Sequence, residues 1–257
     1  MQTIFAVGIF VILLFALIIY YFKQRKSLDD AIPANATKIL EVNVEFYRQL
    51  PIDLKPFFLK RIKEFLTYVR VEGVKIQVTD LDRLLIAASA IIPVFYFDKW
   101  TYTNLSTVLL YPHAFNKEEF LSEDSDRDVS GMVGNGPMQR IMILSCPQLR
   151  DGYSANAGAG NVGIHEFVHL LDKEDGDVDG LPEALLDKKN NPEYLNLVED
   201  TMSQIRNGTS DIDAYALTNR AEFFAVTSSY FFNAPDVFKL NHEALYKFYK
   251  KIYRWPE

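Results

Sequence analysis

Cysteine is almost missing from this chain. Cys146 is the only one in 257 residues, so no internal disulfide can form, and a structural zinc site built from cysteines has no ligands. A lone cysteine also fits a reducing compartment. Basic residues are outnumbered, 27 Lys and Arg against 34 Asp and Glu, for a formal net charge of -7. A nucleic-acid binder needs a basic face to neutralise phosphates, so no nucleic-acid partner is expected. Histidine is scarce too, with four in the chain, and no internal repeat or low-complexity tract is present. What is there is apolar: 49% hydrophobic against 24% charged residues, the balance of a folded globular protein.

The apolar content begins with one run. Residues 3–22 (TIFAVGIFVILLFALIIYYF) hold no charge, and twenty residues at helical rise are long enough to cross a bilayer. Tyr20 and Tyr21 stand where an interfacial aromatic belt would, and Lys23, Arg25 and Lys26 follow at once. A signal peptide carries its charge before the apolar run and small residues after it, the reverse of this order. Residues 1–26 are therefore expected to be an uncleaved single-pass anchor in the inner membrane. The basic flank puts the body of the protein in the cytoplasm. Residues 27–36 (SLDDAIPANA) read as a linker and 37–257 as one domain of ordinary size.

A helix is expected from about Thr37 to Arg48, before Pro51 and Pro56. Phe57, Phe58, Ile62, Phe65, Leu66 and Val69 recur at helical spacing and predict an amphipathic helix. The segment 72–80 (EGVKIQVTD) alternates and predicts a strand. Thr79 or Asp80 would then cap a helix running to Pro93. Segments 106–112 (STVLLYP) and 140–145 (RIMILS) read as strands, with a polar loop or hairpin at 116–131 between them. From 182 onward the pattern is mostly helical. Strands come early and helices late, so the expected class is α+β.

The chemistry lies in residues 161–172, NVGIHEFVHLLD. His165 and His169, four apart, would show both imidazoles on one helix face, where they can share a tetrahedral metal ion. Glu166 points about 100° around the helix and would reach a water at the metal without binding the metal itself. Ile164, Phe167, Val168 and Leu171 supply an apolar face for burial. A catalytic zinc usually takes a third protein ligand. The metzincin extension is excluded, because Asp172 and Asp175 stand where a glycine and a histidine would be needed. A carboxylate on a later helix suits better. Glu222 stands before an apolar run, but spacing does not choose it over Glu183, Glu193 or Glu199. Asp175, Asp177 and Asp179 imitate a calcium loop without its glycine and closing glutamate, and Cys146, following an apolar strand, is not expected to be a nucleophile.

HEFVHLLD, then DGLP, then NRAEFFAV and YFFNAPDVF, with the earlier YPHAF and the strand ending in ILS, resemble the Mlc titration factor family of bacterial zinc peptidases from about residue 40 to the C-terminus. The resemblance implies a zincin-like fold preceded here by the anchor, a ligand set like that of gluzincins, and aminopeptidase activity. It also implies a protein partner, since a soluble member binds and inactivates a sugar-responsive repressor. His165 and His169 match the family's metal-binding histidines, Glu222 its third ligand, Glu166 its catalytic glutamate and Tyr215 its active-site tyrosine. Ser229 and Cys146 depart, where members often carry glutamate and tryptophan.

One zinc ion held by these residues would activate a water, with Glu166 taking its proton and Tyr215 donating to the oxyanion. Asp172 is a candidate to orient a ligating histidine. Gly158, Gly160 and Gly163 would make the turn into the helix or admit a substrate backbone. Two readings follow: a peptidase acting on peptide or protein substrates, or a module that captures a regulatory protein.

Overall fold

The computed structural model describes residues 31–113, 115–116, 128–129, 131–133, 140–155, 157–183, 185–186 and 191–256. Helices α1 (Ala36–Asn43) and α2 (Glu45–Gln49) occupy the stretch expected as one helix, parted by an extended Val44. Helix α3 (Lys55–Tyr68) follows its periodicity, burying Phe58, Ile62, Phe65 and Leu66. Its Pro56 falls in the first turn, where the missing N–H would have been unbonded anyway.

Strand β1 covers Arg70–Gly73, not the expected 72–80. The chain turns too sharply for the strand to continue: a Cβ on Gly73 would lie 2.1 Å from the Ile76 carbonyl oxygen, and Lys75 adopts φ 58. Residues after the turn lead into α4 (Asp80–Ile91), where Thr79 is the cap. Its Oγ1 accepts from the Asp82 N–H at 3.3 Å, and the Asp82 carboxylate accepts from the Thr79 N–H at 2.9 Å, so two helix-end donors are satisfied reciprocally.

Strands β2 (Thr107–Tyr111), β5 (Gly131–Val133) and β6 (Ile141–Ser145) join β1 in one sheet, ordered β1-β2-β6-β5. The first three neighbours are parallel and β5 runs antiparallel to β6. Within the stretch expected as loop or hairpin, β3 (Phe115–Asn116) pairs antiparallel with β4 (Asp128–Val129). The chain is a mixture of helix and strand, as expected. The segregation of strands from helices is corrected, because parallel β1 and β2 need a crossover and α4 supplies it.

Helix α5 (Cys146–Asp151) leaves β6 directly, followed by α6 (Val162–Asp172), α7 (Pro192–Arg206), α8 (Arg220–Asn233), α9 (Pro235–Asn241) and α10 (Glu243–Ile252). Helix α6 packs against both α4 and α8. Contact with α4 is close: a Cβ on Gly163 would stand 2.2 Å from Ser89 Oγ. Gly163 therefore serves helix–helix packing rather than the turn or a substrate.

The expected single-pass membrane localisation is corrected. No helix among the described residues is long and apolar enough to cross a membrane. The longest, α7, has 15 residues, about 22 Å at helical rise against a hydrocarbon core of roughly 30 Å. The run 3–22 on which the expectation rested lies outside the described residues.

Candidate metal centre

Two asparagines start the helices that carry the site. Asn161 caps α6, its Oδ1 accepting from the Ile164 N–H at 3.1 Å. Asn219 caps α8, its Oδ1 accepting from the Glu222 N–H at 2.8 Å. Each cap satisfies a donor that the helix leaves unpaired, and each fixes the turn from which a site residue projects. Neither was singled out in the sequence, although Asn before an apolar helix is the signal that finds such caps.

From α6, Ile164, Phe167, Val168 and Leu171 are wholly buried. His165 and His169 face the other way, and the first turn of α8 brings Glu222 to meet them. Glu222 Oε2 lies 3.1 Å from His165 Nε2 and 3.3 Å from His169 Nε2, and the two Nε2 atoms are 3.1 Å apart. The three residues offer ligand atoms within 4.8 Å of one another, which could hold a metal ion. Two imidazole nitrogens and one carboxylate oxygen are a donor set suited to zinc and related divalent ions.

Glu166, between the histidines in sequence, is buried. Burial pushes its carboxyl above the usual range and Glu222 adds to this, against the pull of the two histidines. At Glu222 burial also pushes upward, but the hydrogen bonds and charges of His165 and His169 outweigh it and hold the carboxylate well below its ordinary value. At His169 burial favours the neutral ring, and the Glu222 hydrogen bond with the charges of Glu166, Glu222 and Asp172 reverses that, raising its pKa. The environments of the two glutamates thus diverge, one holding a proton more readily and the other shedding it.

Tyr215 sits in a 3-10 turn, Ala214–Leu217, with its ring centroid 6.2 Å from that of His165 and its side chain partly exposed. The structure does not bring the other acids into the cluster. Glu183 and Asn191 line a separate cavity of about 270 Å³ with Lys251 and Arg254, and Glu193 and Glu199 lie on α7. Asp175 and Asp179 accept backbone N–H groups from Asp177 and Leu181 at 3.1 and 3.0 Å, so they shape the loop. Cys146 is buried at 3.6 Å from Asp82, and burial pushes its thiol up, against a nucleophile's role. His242 bonds Asp211 at 2.6 Å and is not part of the cluster, and His113 is exposed.

Residues 20–254 match the family described as glucose-regulated metallo-peptidase M90. The chain belongs to that family. Relatives agree with the match. The chain is 31% identical to Mlc titration factor A of Salmonella arizonae over 195 residues, 70% of this chain and 76% of that protein. It is 29% identical to Mlc titration factor A of Klebsiella pneumoniae over 70% of each chain. An uncharacterized protein of Synechocystis is 28% identical across 90% of this chain and 87% of its own. Membership of metallo-peptidase M90 implies a metal ion, and the cluster of His165, His169 and Glu222 is a place for it among the described residues.

Proposed function

We propose that this chain is a zinc-dependent metallopeptidase of zincin-like fold, with its ion held by His165, His169 and Glu222. One observation carries the reading: three ligand atoms converge within 4.8 Å while a second acid, Glu166, stands on the helix of the histidines, buried and outside the ligand set. Ligation alone has no need of Glu166, whereas hydrolysis needs a base. A bound zinc ion polarises a carbonyl and lowers the pKa of a water toward neutrality.

The chain's own groups would do the rest. Glu166 takes the proton of the attacking water, and its raised affinity for a proton suits it to pass that proton to the leaving amine. Glu222, strongly favoured as an anion, stays unprotonated and available for ligation. Tyr215, beside His165 at the exposed side of the cluster, donates its hydroxyl to the oxygen that gains charge. Peptides are the substrate class, and removal of N-terminal residues is the mode to assay first.

Glu166→Gln keeps the size of the side chain and removes the base. It should retain zinc while peptide hydrolysis falls about a hundredfold or more, measured on aminoacyl anilides and on an internally quenched peptide. Unchanged hydrolysis with zinc still bound would overturn the catalytic reading.

A second reading is favoured by the relatives' name, which points to Mlc as a protein partner. On that reading the chain captures a regulatory protein of that class. Binding that persists undiminished in Glu166→Gln would support capture independent of catalysis.

A further inference from the structure

Two polar atoms near the end of α6 are buried without a hydrogen-bond partner: His169 Nδ1 and Asp172 Oδ1. Buried polar atoms are rarely left unpaired, so atoms of this kind beside a metal centre point to a bond made in another state of the site. His169 and Asp172 stand three apart on α6, a spacing at which side chains meet on one helix face. When Nε2 of His169 gives its lone pair to a metal, the ring proton sits on Nδ1 and needs an acceptor. Asp172 Oδ1 is a buried acceptor with nothing bound.

The other oxygen is already committed. Asp172 Oδ2 accepts from the Gly180 N–H at 2.8 Å. Gly180 has φ +75, and a Cβ there would stand 2.3 Å from the Arg220 carbonyl oxygen. Its backbone is therefore pressed against the first residue of α8, two before Glu222.

We propose that Asp172 is the positioning residue of the metal centre: Oδ1 takes the Nδ1–H of His169 in the metal-loaded protein, while Oδ2, through Gly180, sets where α8 delivers Glu222. One carboxylate then aligns ligands from both helices. The inference rests on the metal-centre reading above. Asparagine is not an equivalent. Its single acceptor would be claimed by the Gly180 N–H, leaving its NH2 facing His169 Nδ1, which favours the wrong tautomer for a ligand at Nε2.

The test titrates zinc into the full chain and records 15N histidine spectra of the zinc-loaded protein for the parent, Asp172→Asn, Asp172→Ala and Gly180→Ala. In the parent, a protonated and exchange-protected Nδ1 at His169 is expected. Both Asp172 variants should bind zinc about 10–100-fold more weakly and lose that protection. Gly180→Ala should also weaken zinc binding, by displacing Glu222, yet keep the protected Nδ1–H. Zinc affinity within twofold of the parent in both Asp172 variants, or an unaltered Nδ1 signal, overturns the proposal. A parent that takes up no zinc overturns the metal-centre reading itself, and the proposal with it.

Discussion

Ser229 of α8 holds Asn161 by both backbone groups. The Asn161 N–H donates to Ser229 Oγ at 2.9 Å, and the Ser229 hydroxyl lies 3.2 Å from the Asn161 carbonyl oxygen, to which it donates. Because Asn161 is the cap of α6, the helix of Glu222 grips the helix of the histidines at its first turn. Both residues are buried, so no water stands ready to replace a lost bond.

Ser229→Ala should therefore destabilise the protein by about 1–3 kcal/mol, the cost of leaving the buried Asn161 N–H unpaired, while the Asn161 carbonyl keeps the His165 N–H at 2.9 Å. Chemical denaturation of the metal-free chain measures this. A midpoint equal to the parent's would show that the tie between the helices contributes nothing to stability.

Glu222→Ala should remove the metal. An outer partner of a ligand is worth roughly 10–100-fold in affinity, and a ligand itself is worth more. Elemental analysis of purified protein should find near-stoichiometric zinc in the parent and little in the variant. Equal zinc in both would mean that Glu222 is not a ligand.

The metal-free chain should lose stability as pH rises from about 4 to about 6. Burial pushes Asp172 up to about 6, against about 4 in an unfolded chain. In that window the folded form holds a proton that the unfolded form has released, so unfolding gains with pH, by roughly 3 kcal/mol from this group. Glu222 acts with the opposite sign: its depressed folded value stabilises above about 4.3 and is lost as pH falls further. Thermal melts across pH 4 to 7 should show a shallower decline in Asp172→Asn than in the parent; parallel curves would refute the assignment to Asp172.

Gly163→Ala should cost about 1–3 kcal/mol, because the new methyl meets Ser89 Oγ at 2.2 Å and the helices must part. A thermal midpoint at or above the parent's would mean that α4 yields without strain.

The helix of the HEFVH segment was legible because its evidence is local. Histidines four apart and apolar residues at three and four are consequences of 3.6 residues per turn, whatever surrounds them. Thr79 as a cap and the face of α3 were legible for the same reason. The strand expected at 72–80 failed because alternation there was real, but the backbone turn at Gly73 outweighed it. The family resemblance singled out Glu222, and the structure places its carboxylate against both histidines; residue spacing alone left four glutamates open.

By itself, the sequence determined that His165 and His169 share one face of an amphipathic helix, with Glu166 beside them. Its one cysteine leaves no internal disulfide and no cysteine-built zinc site. Only the tertiary structure decided that Glu222, 57 residues from His165, arrives at 3.1 Å, that Ser229 ties α8 to the cap of α6, that Gly180 lies close against the start of α8, and that Asp172 has one oxygen engaged and one open. These are contacts between segments far apart in the chain, set by how α4, α6 and α8 pack, and no period within a single segment encodes them.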